Sequence, residues 1–199
     1  MRATIEEGLD AVGHHLVECG TRGPASGAND KAGEAWQQGG AHAGHAGDLT
    51  SRPPLAAAAL HTALLGDGSP WASPEVVDSI GSSEVDLAAA ARAGGAVSGA
   101  VLVAEQQTAG HGRLERSWVS PPRAGLTFSV LLSPAVPVAS WGWLPLMTGL
   151  AVVDGIRVAT GLETPLKWPN DVLDLAGHKL AGILAARLDL AAERLRLFY

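Results

Sequence analysis

The stretch Ala100-Val101-Leu102-Val103-Ala104-Glu105-Gln106-Gln107-Thr108-Ala109-Gly110-His111-Gly112-Arg113-Leu114-Glu115-Arg116-Ser117-Trp118 decides how the rest of the chain is read. Its first five residues are small or branched and apolar, the pattern of a strand buried on both faces. A second apolar run, Leu126 to Leu132, follows a few residues later. Between the two strands lies a loop with two glycines, a histidine, two arginines and a closing Trp118. Gly110 and Gly112 allow the backbone to turn and to approach a ligand closely. Arg113 and Arg116 carry planar, permanently charged forks that match carboxylate and phosphate. Taken alone, the same loop also fits a solvated basic hairpin.

Working outward, strands and helices interleave, which points to an α/β domain. Pro53 and Pro54 suit the first turn of a helix over Leu55 to Leu65, and Gly66-Asp67-Gly68-Ser69-Pro70 breaks it. Val76 to Ile80 reads as a short strand. Glu84 to Ala93 reads as an Ala-rich helix with Ser82 or Ser83 as its N-cap, closed by Gly94-Gly95. The run from Gly125 to Leu132 is a buried strand with Thr127 and Ser129 at alternate positions. From Ala139 to Ala159 the chain is apolar and helix-like, with Trp141, Leu144, Met147, Leu150 and Val153 spaced for one buried face. Pro165 to Trp168 and Asp171 to Leu173 read as strands around a Pro169-Asn170-Asp171 turn. Lys179 to Leu188 reads as one central strand, and Arg194 to Tyr199 as a last strand with an unpaired edge that invites a second copy, hence a possible homodimer.

The 199 residues suffice for one domain with a real core plus an appendage. Residues 1–50 read as a low-complexity, disordered extension and residues 51–199 as the globular domain. Within the extension, Thr4 and Glu7 form a capping box, and Ile5, Leu9, Val12 and Leu16 share a helical face. His14, His15, His42 and His45 reflect composition, because no Cys or carboxylate stands at ligand spacing beside them, so no metal site is expected. The single Cys19 excludes an internal disulfide and makes a cytoplasmic location the default. No apolar stretch free of Pro and charge reaches the roughly 20 residues of a membrane span. The net charge of -6 is uneven: residues 1–50 hold three basic and seven acidic residues, the remainder 11 and 13. A near-neutral globular part indicates neither nucleic acid nor membrane as a partner.

Three motifs now stand in order: Ser82-Ser83-Glu84, the Gln107–Trp118 loop, and Lys167-Trp168-Pro169-Asn170-Asp171 followed by Gly177-His178-Lys179-Leu180-Ala181-Gly182-Ile183-Leu184. Together they resemble the catalytic domain of biotin protein ligases, over roughly residues 52 to 199. The resemblance implies a mixed, mostly antiparallel sheet flanked by helices, related to class II aminoacyl-tRNA synthetase cores. It implies ATP and Mg²⁺, biotin as substrate, biotinyl-5′-AMP as intermediate, and a carrier domain of the acetyl-CoA carboxylase type as acceptor. Site residues follow from the matched positions. Ser82, Ser83, Gln107, Gly110 and Gly112 would meet biotin, and Arg113 and Lys179 its carboxylate and the phosphate. Arg116, Trp118, Lys167 and Asn170 would serve the nucleotide, and Asp171 the amine of the acceptor lysine. Nothing in residues 1–50 resembles the helix-turn-helix domain that some members carry, so no DNA-binding domain is expected.

Three positions depart from the family pattern. Glu84 stands for Asn, His111 for Arg and Glu115 for Gly. An acid near a bound carboxylate is unfavourable, and His111 is a poorer anion clamp than Arg. If the family glycine serves a positive φ, Glu115 also costs about 1–2 kcal/mol. Those departures, with the absence of the family's later Gly-rich turn and small C-terminal domain, suggest an alternative: a biotin- or adenylate-binding remnant without turnover. Lipoate and octanoate ligases share the fold but generally lack the glycine-arginine loop and the Trp-Pro pair.

Overall fold

The computed structural model describes residues 52–189 and 194–198. The expected N-terminal helix and linker, and Tyr199, lie outside the described residues. Among the described residues, ten strands and three α-helices follow in the order α1 (Ala57–Leu64), β1 (Ala72–Val77), α2 (Ser83–Arg92), β2 (Ala100–Ala104), β3 (Gln107–His111), β4 (Ser117–Ser120), β5 (Thr127–Leu132), α3 (Leu144–Thr160), β6 (Leu166–Lys167), β7 (Asp171–Leu173), β8 (Lys179–Gly182), β9 (Ala185–Asp189) and β10 (Arg194–Phe198). They build a five-stranded sheet ordered β1-β2-β5-β10-β9, a β3–β4 hairpin, and a three-stranded sheet ordered β6-β7-β8. Only β1 and β2 run parallel in the large sheet, joined by α2; the pairs β2–β5, β5–β10 and β10–β9 are antiparallel. The expected mixed, mostly antiparallel α/β architecture is therefore present.

The alternation of β2 divides the core. Ala100 and Leu102 face one side, where Leu87, Ala88 and Ala91 of α2 cover them together with Leu131 and Leu188. Val101 and Val103 face the other side, against Leu55, Val130 and the partly buried Leu60 of α1. A third cluster joins α3 to the small sheet through Ile156, Val172 and Ile183. Both faces of β2 are thus buried, which is why its sequence shows no polar alternation.

Several elements differ from the sequence reading. The first strand lies at Ala72–Val77 rather than at Val76–Ile80; Ile80 makes only an isolated bridge to Gln107. β1 contains Pro74, but it is an edge strand and its register slips between Ala72 and Pro74. An edge or a bulge tolerates a residue that lacks an N–H. The expected single strand from Lys179 to Leu188 is two, β8 and β9, in different sheets. The break falls at Ile183, whose N–H donates to the Asn170 carbonyl at 2.8 Å and whose side chain enters the third cluster. A continuous apolar run carries no mark of where a chain changes sheets.

The last strand is not an edge. β10 lies inside the sheet and pairs with β5 on one side and β9 on the other. The premise for association through Arg194–Tyr199 is removed with it. The helix face also differs. Trp141 is buried, but Met147 and Leu150 are each 63% exposed, and Gly149 and Ile156 are the buried residues of α3. Val138–Trp143 forms a 3-10 turn before α3 begins at Leu144. A 3-10 turn advances three residues per revolution instead of 3.6, so a face counted from Trp141 is out of phase beyond it. By length and composition alone, Val138–Thr160 could cross a membrane. One side of it packs on the small sheet, and an Asp154–Arg157 ion pair sits on the other.

Gly99 is the joint of the large sheet. Its N–H donates to Leu131 O and its carbonyl accepts from Ala72 N, each at 2.7 Å. Its φ is +91°, and a Cβ there would strike the carbonyl oxygen of Pro70. Gly99→Ala should cost about 2–4 kcal/mol by strain and backbone displacement, measured as the urea midpoint.

Candidate active site

Two clusters hold the motif residues. The first forms where α2 begins beside β3. Ser82 is the N-cap of α2 and accepts from Val85 N at 3.5 Å, a long capping bond. Ser83 is the first helical residue and is buried, as is Gln107 at the start of β3. Gln107 Oε1 accepts two hydrogen bonds from Ser83, one from the backbone N–H and one from Oγ, both at 3.0 Å. Behind them Ser129 Oγ donates to Ser83 Oγ at 2.8 Å. Gly110 sits against the Gln107 amide, and a Cβ at that position would overlap Gln107 Nε2. The turn before α2 and the start of β3 are further joined by Thr108 N to Ile80 O at 3.0 Å and Ala109 N to Gly81 O at 2.7 Å.

The hairpin β3–β4 carries the rest of the loop. Gly110 pairs with Trp118, and His111 with Ser117. Gly112 N donates to Arg116 O at 2.6 Å, which closes the tip around Arg113–Glu115. Arg113 and Arg116 lie exposed on this tip and Trp118 is half-buried. The left-handed residue of the loop is Leu114 (φ +59°, 83% exposed), so the condition under which Glu115 would be strained is not met. The base of the loop is tied down. Arg123 N donates to Glu105 O at 3.1 Å, and Arg52 and Arg123 each donate through Nη1 to the other's carbonyl, at 2.9 and 2.7 Å. The buried Glu105 carboxylate accepts from Leu55 N.

The second cluster lies on the small sheet. Lys179 Nζ stands 2.7 Å from Asp171 Oδ1. Gly182 faces Asp171 across β7–β8, and a Cβ at 182 would come to 3.1 Å from Lys179 Nζ, so a bare position leaves room for the ammonium. Lys167 pairs with Asp171 on the other side and is exposed. Asn170 is half-buried in the turn after the cis Trp168–Pro169 bond, and Trp168 is 76% exposed. The β7–β8 turn is fixed by His178, which donates from its backbone N to Asp174 Oδ1 at 2.8 Å and has its ring Nδ1 2.9 Å from Oδ2. The His178 ring bond, and then its backbone N–H, hold the Asp174 carboxyl below its ordinary value.

Among the described residues no three His, Cys, Asp or Glu side chains converge. They do not form a cage for a resident Mg²⁺.

Sequence reasoning thus named the motif residues of both clusters but missed Ser129, Glu105 and the Asp174–His178 hydrogen bonds. A hydroxyl at an inward position of an apolar strand and a carboxylate at the end of a buried one were the available signals. Two departures from the family pattern meet in space. Glu84 is half-buried, and burial raises its carboxyl pKa, with His111 and then Arg92 pulling it back down.

The chain is similar to known proteins over this region. Residues 87–193, a little over half of it, match the model of the biotin/lipoate A/B protein ligase family. This chain belongs to that family. The biotin–acetyl-CoA-carboxylase ligase of Mycobacterium tuberculosis is 49% identical over 138 residues, 67% of this chain and 52% of that protein. The bifunctional ligase/repressor BirA of Bacillus subtilis is 44% identical over 86 residues, 43% of this chain and 26% of that one. The solved biotin protein ligase of Aquifex aeolicus, in complex with biotin and ATP, superposes with a TM-score of 0.52 at 32% identity, over 63% of this chain and 50% of that one. The chain spans about half the length of the Mycobacterium relative and less of the Bacillus one.

Two consequences follow for the loop and its neighbour. Leu114→Gly should raise stability by up to about 1 kcal/mol, the relief of a left-handed residue less the added freedom of glycine, read from chemical denaturation. Glu84 is protonated in both states well below its ordinary pKa of 4.5, where its burial costs nothing; as pH rises the unfolded chain ionises first, so the cost grows and is complete above the raised folded value. Glu84→Gln should therefore stabilise the protein at pH 7 and leave it unchanged in strong acid, which a pair of urea titrations would compare.

Proposed function

We propose that residues 51–199 belong to the catalytic domain of a biotin protein ligase. The biotin carboxylate attacks the α-phosphate of ATP, giving biotinyl-5′-AMP and pyrophosphate. A lysine amine of a biotin carrier domain, of the acetyl-CoA carboxylase type, then attacks the activated carbonyl and AMP leaves. The single observation that carries this reading is the closed Ser83–Gln107 contact, because it unites two separate motifs at the place where one small ligand would meet both. The Aquifex aeolicus structure, solved with biotin and ATP, supports the same choice of ligands.

The first step brings two anions together and needs cations at the reacting atoms. Arg113 and Lys179 take the carboxylate and the α-phosphate. Arg116, Trp118, Lys167 and Asn170 hold the nucleotide. Ser82, Ser83, Gln107, Gly110 and Gly112 hold biotin at its head and along the loop. The exposed loop tip folds over the adenylate and keeps water from it. In the free protein the Lys179 ammonium is neutralised by Asp171. When Lys179 turns to the substrate anions, the Asp171 carboxylate is released to orient the incoming amine and to accept its proton. The single cysteine is in keeping with work in the cytoplasm.

Biotin-dependent exchange of labelled pyrophosphate into ATP by the purified chain tests the first step. Exchange is expected from the wild-type chain and should fall at least a hundredfold in Lys179→Ala, as for loss of a charge acting at the transition state. Equal exchange by the two proteins would remove Lys179 from the chemistry, and none from a folded wild-type chain would remove the activity.

A further inference from the structure

Ser129 has no part in the chemistry described so far, yet it is fully buried in β5. Its neighbours along the strand, Val130 and Leu131, are apolar core residues. A buried hydroxyl needs a partner, and its partner here is Ser83 Oγ at 2.8 Å.

The direction of each hydrogen bond in this relay is determined. The backbone N–H of Ser83 can only donate, and it points at Gln107 from 3.0 Å. The carboxamide must therefore turn its oxygen to Ser83 and its NH₂ away, toward the bare Cα of Gly110. That oxygen cannot donate, so the 3.0 Å bond from Ser83 Oγ consumes the one hydroxyl proton of Ser83. The bond between the two hydroxyls must then carry the proton of Ser129. All protons run from Ser129 through Ser83 to Gln107 Oε1, and the far end of the relay presents N–H donors alone.

We propose that Ser129 is a positioning and specificity-determining residue: its hydroxyl fills the acceptor site of Ser83 Oγ and holds that oxygen on Gln107 Oε1, and so supports the Ser83 backbone N–H in keeping the Gln107 NH₂ turned away as a donor-only group that selects a ligand head bearing a carbonyl oxygen. The proposal rests on the biotin reading, whose ligand has a cyclic urea with such an oxygen. A lipoyl or octanoyl chain offers no acceptor there, and would leave the amide unpaired on burial. The relay thus separates the two ligand classes that the family name joins.

The probes are biotin and 2-iminobiotin, in which a protonated imino group replaces the urea oxygen and turns an acceptor into a donor. Binding of both to the 199-residue chain is measured by calorimetry for wild type, Ser129→Ala and Ser129→Thr. In parallel, exchange of the Gln107 side-chain amide protons with water is followed by NMR without ligand. Wild type is expected to favour biotin strongly. Ser129→Ala should lose about tenfold in biotin affinity, the usual weight of one buried hydrogen bond, and should narrow the preference over 2-iminobiotin. Its Gln107 amide protons should exchange faster, and Ser129→Thr, which keeps the hydroxyl, should restore them. Unchanged amide exchange in Ser129→Ala overturns the proposal, as does an unchanged ligand preference in a protein that binds biotin. Absence of biotin binding by wild type would count against the ligase reading, and the amide exchange would still decide the role of Ser129.

Discussion

Gln107 Oε1 accepts from the backbone and the side chain of Ser83, and much else in the structure is arranged around those two bonds. They hold the first turn of α2 against the first residue of β3, so the helix cannot shift without the loop. Because the acceptor is buried, losing both donors would leave a desolvated carbonyl, which costs more than the bonds themselves contribute. The same contact explains Gly110, whose missing side chain makes room for the amide. The loop beyond is free to be exposed because its base is secured elsewhere, by Glu105, Arg123 and Arg52.

The second cluster follows a different logic. An ammonium and a carboxylate 2.7 Å apart, each partly open to solvent, neutralise one another at little cost and exchange partners readily. Such a pair is suited to be broken by an arriving anion, whereas the buried relay at Ser83 is suited to persist. In the proposed function the polar ligand head is assigned to the rigid cluster and the substrate anions to the exposed pair.

The departures from the family pattern take a new meaning in the folded chain. Glu84 and His111 stand 27 positions apart, so nothing in the linear order couples them. In the structure the charge on His111 offsets part of the burial cost of Glu84. An acid that looked unfavourable and a histidine that looked like a weakened clamp partly compensate one another. The positive φ considered for Glu115 falls instead on Leu114, one residue earlier, in a hairpin tip that closes through Gly112 N and Arg116 O.

The sequence by itself determined the fold class, the helices around Ala57–Leu64 and Ser83–Arg92, the strands β2 and β5, and the motif residues of both clusters. Those features are local: caps, turn residues, apolar runs and motif spacing act between near neighbours, and one chain states them all. The tertiary structure alone decided the rest. It split Lys179–Leu188 between two sheets, placed β10 between β5 and β9, and exposed Met147 and Leu150 on α3. It also brought Ser129 behind Ser83, 46 residues away. Each of these depends on which distant segment supplies the hydrogen bonds or covers the apolar face, and periodicity is blind to that choice because it describes a surface and not its partner.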